Sequence, residues 1–260
     1  MPDTELVFVG DVCDRGYNSR DIYELIMNWQ DEAPRQGSRV TFLLGNHEVM
    51  NAFGLRHYNT AEEYLSYDPA SSTTGGRAHS EAFAEGGWLL EWLRRQHAAV
   101  RIGRVIFGHG DLPMVLSDWS VDEIDERVMG ALRESRPRSG GNLPDPLFAP
   151  DKSILWCRQA QLERPTGYGR ALAAFLAKNE ASAYICGHTP AEEGLFRLGY
   201  HNRYLCIDTA MTFERQGIGR KSALLIENDR ALAAYFEEND VVYREIDLNF
   251  ELPVIGDLDV

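Results

Sequence analysis

The stretch from residue 10 to residue 48 constrains the fold more tightly than any other part of the 260-residue chain. Two short apolar runs, 6–9 and 40–44, each stop at a glycine and continue into polar residues. The first leads to Gly10-Asp11-Val12-Cys13-Asp14-Arg15-Gly16, the second to Gly45-Asn46-His47-Glu48. Short continuous apolar runs of this kind read as strands buried on both faces. Between them Ser19 is placed to cap a helix in which Ile22, Leu25, Ile26 and Trp29 recur at i, i+3, i+4 and i+7, so that stripe is expected to pack on the sheet. Pro34 and Gly37 end this helix. A strand, helix, strand unit favours a right-handed crossover and a parallel pair, which brings both polar turns to the same sheet edge.

The pattern of strand, glycine and polar side chain recurs downstream. Residues 105–107 run into Gly108-His109-Gly110-Asp111, and 183–186 run into Gly187-His188-Thr189-Pro190. Trp88, Leu89, Trp92 and Leu93 form a helical stripe expected in the core, and Ser120 with Glu123 makes a capping box for a helix through Ile124, Val128 and Leu132. A further helix is expected over 170–178, and 204–208, 223–226, 231–236 and 241–246 read as a run of antiparallel strands. Residues 52–77, with a Pro-, Ser-, Thr- and Gly-rich loop at 68–76, are expected to form a cap or substrate-facing excursion, and residues 136–150 a connection or active-site flap. The chain therefore reads as a single α/β domain over 1–260, mixed first and mostly β later.

A formal charge of -14 repels nucleic acid and anionic membranes over most of the surface, so neither is an expected partner, and a phosphate group needs a local cluster of metal and arginine to draw it in. Cys13, Cys157, Cys186 and Cys206 show no C-x-x-C spacing and are expected as reduced thiols rather than disulfides or a zinc ribbon. No apolar run is long enough to span a bilayer and no leader-like start precedes the first strand, which makes the cytoplasm the expected location.

Asp11, Asn46, His109 and His188 each follow an apolar strand beside a glycine. Open α/β sheets collect ligands at the carboxyl ends of their strands, so these four are expected to converge on a metal. Carboxylate, amide oxygen and two imidazoles suit manganese, iron or zinc better than calcium. Arg15 and Arg158 have the chemistry to bind phosphoryl oxygens in bidentate fashion, and His47, oriented by Asp14, to protonate a leaving group. The expected reaction is hydrolysis of a phosphoester by in-line attack of a metal-held hydroxide. Glu48 is expected to secure its loop, Asp111 and Asp208 to hydrogen-bond loops, and His57, His79, His97 and His201 to be ordinary surface or core residues.

The motifs Gly10-Asp11-x-x-Asp14-Arg15-Gly16 and Gly45-Asn46-His47-Glu48 resemble signatures of the phosphoprotein-phosphatase branch of the calcineurin-like metallophosphoesterases. Residues 43–52 (LLGNHEVMNA), 107–113 around His109, Trp156-Cys157-Arg158 and 187–190 (GHTP) are most similar to the bacterial Shewanella-like and phage-lambda-type phosphatases. The resemblance implies a metallophosphatase-type double β-sheet sandwich flanked by helices. It also implies that Asp11 bridges two divalent metals, manganese first among the candidates, and that Asn46, His109 and His188 complete the second. By the same resemblance Arg15 and Arg158 bind phosphate, His47 and Asp14 form the leaving-group dyad, and the substrate is a phosphorylated protein or a small phosphoester.

That family opens with a strand ending in Gly-Asp-x-His-Gly, and none of the seven histidines here has an Asp two residues before it. The expectation is a fold lacking its first strand, with the chain's natural start further upstream, and a site that retains one full metal shell and only Asp11 of the other. Two alternatives follow: a weak or inactive phosphate- or phosphoprotein-binding module, and a nucleotide-directed phosphoesterase.

Overall fold

The computed structural model describes residues 3–68, 75–135, 144–191, 193–212 and 219–253. Most of the expected loop at 68–76, and residues 136–143 of the expected flap, lie outside the described residues. The chain divides into two compact units, Met1–Ala98 with Asp125–Ala149, and Ala99–Ile124 with Pro150–Val260.

In the first unit β1 (Glu5–Phe8) and β2 (Arg39–Phe42) pair in parallel with Leu6 opposite Val40, joined by helix α1 (Ser19–Glu32) as the sequence pattern requires. The face of α1 that is buried differs from the expected one. Ser19, Tyr23 and Ile26 are buried, whereas Ile22, Leu25 and Trp29 are exposed. A polar anchor decides this: the Tyr23 ring meets Phe42 and Trp92 edge-on, and its hydroxyl donates to Glu48 Oε1 at 2.6 Å. Trp29 instead stacks on Phe8. Nor does Ser19 cap the helix, since Asn18 takes that position while the Ser19 hydroxyl donates to buried Glu63 at 2.9 Å.

After β2 the chain turns at once into α2 (Asn46–Ala52), every residue of which is buried. Residues 52–77, expected as a cap, contain the unanticipated helix α3 (Ala61–Tyr67), whose N-cap Thr60 accepts from the Glu63 amide at 3.0 Å. Helices α4 (Gly75–Ala82) and α5 (Trp88–Leu93) follow. In α5, Leu89, Trp92 and Leu93 are buried as expected, but Trp88 is exposed because it opens the helix on the side away from the core. Helix α6 (Val121–Glu134) carries the predicted capping box, with Ser120 Oγ accepting from Glu123 N and Glu123 Oε2 from Ser120 N. The short α7 (Asp145–Phe148) closes the unit.

The second unit is built on a five-stranded sheet in the order β3 (Ala99–Ile102), β4 (Val105–Gly108), β5 (Ala183–Cys186), β7 (Tyr204–Cys206), β6 (Arg197–Gly199). Helix α8 (Tyr168–Lys178) precedes β5. β4, β5 and β7 run parallel, and the two edge strands are antiparallel. β3 was not expected, and β7 is not part of an antiparallel run on both sides: β6 skips to the edge, and β7 returns into the gap beside β5. The run of antiparallel strands does hold for β8 (Lys221–Glu227), β9 (Arg230–Phe236) and β10 (Val241–Ile246), which form their own sheet. The two sheets share a core of Val105, Ala183, Ile185 and Leu205 with Ala231 and Leu248, onto which Leu224 and Ile246 pack. This is the sheet-on-sheet arrangement the resemblance implies.

Candidate active site

The β1 and β2 turns of the first unit lie so close that only glycine fits between them. Gly10 has φ +89°, and a Cβ there would fall 2.4 Å from Gly45 N; one on Gly45 would fall 2.1 Å from Asp11 Oδ1. The adjoining carboxylate of Glu48 is fully buried and ties the turns together. Its Oε2 accepts from Asp11 N (3.0 Å) and Gly45 N (2.8 Å), and its Oε1 from Val12 N (2.9 Å) and the Tyr23 hydroxyl. Glu48 is thus a fastener, as its sequence context suggested. Asp11, held at φ 59°, accepts the His47 backbone N–H on Oδ1 at 3.0 Å. The amide nitrogen of buried Asn46 contacts Met50 Sδ.

The expected dyad forms in the same unit. His47 Nδ1 and Asp14 Oδ2 make a short hydrogen bond with both side chains buried. Burial works against a charge on His47, yet the Asp14 hydrogen bond and the Asp11 and Asp14 carboxylates outweigh it and hold the imidazole above 6.5. Arg15 opposes them: its Nη1 lies 3.1 Å from His47 Nε2, and its guanidinium sits 4.4 Å from the centroid of the Tyr58 ring. Asp14 and Arg15 both have left-handed backbone angles, φ 70° and 58°, costly for non-glycine residues. The segment around Tyr58 holds them, with Tyr58 O accepting from Arg15 N (3.1 Å) and Glu63 Oε1 from Asp14 N (2.9 Å). Cys13, inside the motif, is buried, and desolvation pushes its thiol well above its ordinary range, so it is an inert small side chain.

In the second unit His109 follows β4 and His188 follows the adjacent parallel strand β5, so both imidazoles emerge at the carboxyl ends of paired strands. Their ring centroids are 5.0 Å apart and each offers a nitrogen within 4.8 Å of the other's, a spacing that suits two ligands of one cation. Segment 154–158 is fastened against this pair by Gly110 N to Ile154 O (2.7 Å) and Asp111 N to Cys157 O (3.0 Å). His188 Nε2 lies 3.2 Å from Trp156 O, and Arg158 Nη1 donates to Thr189 Oγ1 at 3.0 Å. Asp111 is buried among Tyr204, Gln161 and Cys186, all hydrogen-bonded to it, and burial raises its carboxyl; it holds loops together, as expected. Asp208 Oδ1 likewise accepts the Ala210 amide.

The structure therefore gathers Asp11, Asp14, Arg15, Asn46 and His47 in the first unit, and His109, Arg158 and His188 in the second. Sequence reasoning missed Tyr58, Asn51, Asn59 and Glu63. Asn51 had a signal, since it lies at i+4 from His47 on α2 and its Nδ2 donates to Asp14 Oδ1 at 2.9 Å. The others lie beyond the motif, and no spacing announced them.

Glycine-bounded strand ends that deliver a carboxylate and an amide with an arginine and a His–Asp dyad in one unit, and paired imidazoles with an arginine in the other, are the equipment of a metal-dependent phosphoesterase. The chain belongs to the calcineurin-like phosphoesterase family, whose model matches residues 2–192. Phosphoesterases of this family use divalent metals. Shewanella-like protein phosphatase 1 of Plasmodium berghei (strain Anka) is 26% identical over 253 residues, covering 94% of this chain and 68% of that protein. An uncharacterized Schizosaccharomyces pombe protein is 28% identical over 209 residues, covering 79% of this chain and 61% of that protein. Among solved structures, the cold-active protein-tyrosine phosphatase of a psychrophilic Shewanella species superposes with a TM-score of 0.74 at 20% identity, over 94% of this chain and 70% of that one, and shows the same fold. The chain thus spans between about three fifths and seven tenths of these proteins. No helix among the described residues is long and apolar enough to cross a membrane.

Proposed function

We propose that the chain, as one metallophosphoesterase domain, hydrolyses phosphomonoesters on phosphoprotein side chains. The observation that carries this reading is the buried His47–Asp14 dyad beside Arg15, a leaving-group acid next to a phosphate ligand. The residues that would hold the divalent ion are Asp11, Asn46, His109 and His188. The donor set fits manganese, with iron or zinc also suited to it. With Asn46 Nδ2 turned to Met50 Sδ, the amide oxygen is the end suited to a cation. A divalent ion bound there supplies an activated oxygen nucleophile and neutralises phosphoryl charge.

The chain's own residues supply the remainder. Arg15 and Arg158 bind the equatorial phosphoryl oxygens and so stabilise charge that develops in the transition state. The contact of Arg15 with His47 Nε2, together with Nδ1–H given to Asp14, describes a neutral imidazole, whereas the two carboxylates favour the imidazolium. A phosphoryl oxygen that draws Arg15 to itself removes the opposing charge from Nε2. His47 then carries the proton that the leaving oxygen needs, while Asp14 keeps the ring aligned.

The test is hydrolysis by the full chain loaded with manganese, using a phosphopeptide, an alkyl phosphate and an activated aryl phosphate. His47→Asn should lower kcat about a hundredfold on the alkyl phosphate and far less on the aryl phosphate, because only the poor leaving group needs the acid. Equal losses on both remove the general-acid role. A well-folded chain that binds one metal and phosphate without turnover would instead be a binding module. Rates on nucleotide polyphosphates above those on phosphopeptides would redirect the substrate assignment.

A further inference from the structure

Asp14 works as the partner of His47 only if one of its oxygens is aimed at Nδ1, yet it sits on a two-residue left-handed turn that its own sequence does not favour. The groups that hold it come from Asn51 on α2 and from the segment 58–63, more than forty residues further along. Asn59 Nδ2 donates to Asp14 Oδ1 at 2.5 Å and lies 3.1 Å from Asn51 Oδ1 and 3.4 Å from Glu63 Oε2. Asn51 Nδ2 donates to the same Asp14 oxygen and also to His47 O at 3.0 Å. Two amide donors therefore converge on Oδ1, and the carboxylate is left presenting Oδ2 to the imidazole. Asn59 is oriented in turn, its Oδ1 accepting from the Tyr64 hydroxyl at 3.2 Å. Thr60 Oγ1 donates to Gly16 O at 2.6 Å, and Glu63 Oε1 accepts from Asp14 N and from Ser19 Oγ, so both flanks of the turn are fastened to the start of α3.

We propose that Asn59 is a positioning residue for the phosphatase reaction: its amide sets the Asp14 carboxylate so that His47 is held in the orientation and tautomer that leaving-group protonation requires. Among the described residues the Asn59 side chain hydrogen-bonds Asp14, Asn51, Glu63 and Tyr64 rather than His47 or a proposed metal ligand, so it acts through Asp14. The inference rests on the proposed function for its catalytic meaning, but the orientation of the dyad is a property of the chain itself and is observable without turnover. A donor is what the position demands. An apolar or acidic side chain of similar size would leave Oδ1 short of a partner or set a second carboxylate against it.

The experiment compares wild type, Asn59→Ala and Asn59→Asp in the full chain, with far-UV circular dichroism to show that each is folded. Hydrogen-bonded imidazole protons are read by NMR on chains labelled with nitrogen-15 histidine, with His47→Asn assigning the His47 Nδ1 signal. Wild type should show this proton far downfield. It should move upfield or vanish in both variants, and Asn59→Asp, which is isosteric but lacks the donor, should be at least as affected as Asn59→Ala. With manganese, both variants should lose about tenfold or more in kcat on an alkyl phosphate and less than about twofold on an activated aryl phosphate, the loss expected when a hydrogen bond to a charged group is removed. A His47 proton unmoved by both substitutions overturns the inference, as does an Asn59→Asp chain that matches wild type on the alkyl phosphate or loses equally on both substrates. If wild type turns over no phosphoester, the proposed function fails, and the NMR comparison alone decides whether Asn59 positions the dyad.

Discussion

Replacing Glu48 by Gln tests the claim that one buried carboxylate fastens the two motif turns. The glutamate is fully buried and accepts five hydrogen bonds, from Asp11 N and Gly45 N on Oε2 and from Val12 N, the Tyr23 hydroxyl and, at 3.7 Å, the Cys13 thiol on Oε1. Glutamine keeps the shape and replaces one acceptor with a donor. If its nitrogen faces Asp11 and Gly45, two backbone N–H groups oppose it; if it faces Val12, Cys13 and Tyr23, the hydroxyl and the thiol can rotate to accept and only the Val12 N–H is stranded. The second orientation is cheaper, and it still loses one buried bond and the charge assistance of the others, about 2 to 4 kcal/mol in all. Urea unfolding followed by tryptophan fluorescence should show that loss, and amide exchange at Asp11, Val12 and Gly45 should quicken ahead of the global transition. Glu48→Asp should not rescue, because a carboxylate one methylene shorter does not span the donors of both turns. A Glu48→Gln chain within about 0.5 kcal/mol of wild type, the range of ordinary surface changes, would refute the fastening role.

The close approach of the same turns makes Gly10→Ala strongly destabilising, since the new Cβ meets Gly45 backbone at 2.4 Å and φ is +89°; a soluble variant with unchanged thermal midpoint would contradict the packing described. His79 is buried between Tyr64, Tyr67 and Phe83, neither ring nitrogen has a hydrogen-bond partner among the described residues, and desolvation pushes it down to about 4. Its folded value lies below its unfolded one, so the unfolded chain takes up the proton first and stability falls as pH drops from 6.5 toward 4, by about 3 kcal/mol at the acid end. His79→Phe should flatten that part of the stability profile, as measured by urea unfolding between pH 4 and 7, and an unchanged profile would count against a neutral buried imidazole.

The residues proposed for chemistry were legible because they stand where an apolar run stops at a glycine. Each of Asp11, Asn46, His109 and His188 immediately follows a strand end or its glycine, and side chains in that place need no tertiary knowledge to be noticed. The parallel pairing of β1 with β2 followed from chain handedness alone. β3 escaped notice because its sequence, Ala-Val-Arg-Ile, alternates weakly over four residues, and only its ladder to β4 makes it a strand. α3 escaped because Ala61–Tyr67 carries no apolar stripe; Glu63 and Tyr67 are its buried residues, and a glutamate in the core is recognisable only once Asp14 and Ser19 are known to face it.

The misreading of α1 shows the same limit from the other side. Periodicity offered Ile22, Leu25, Ile26 and Trp29, four apolar residues at good helical spacing, over Ser19, Tyr23 and Ile26, which include two hydroxyls. By transfer free energy the first stripe should be inside. The buried carboxylate of Glu48 reverses the order, because the Tyr23 hydroxyl satisfies one of its acceptor sites while the ring fills the space between Phe42 and Trp92. Rotating the helix to bury Leu25 and Trp29 would withdraw that donor and cost about 1.5 to 3 kcal/mol at a charged acceptor, with the loss of aromatic packing added to it. The motif carboxylate thus selects which face of the preceding helix is core, and the tyrosine it selects helps fix Glu48, which fixes Asp11. Tyr23→Phe separates the two contributions: it keeps the ring contacts, so Ile26 should stay buried, while the backbone amides of Asp11 and Val12 should exchange faster as Glu48 loses one of its donors. Unchanged exchange at both amides would mean that ring packing alone orients α1.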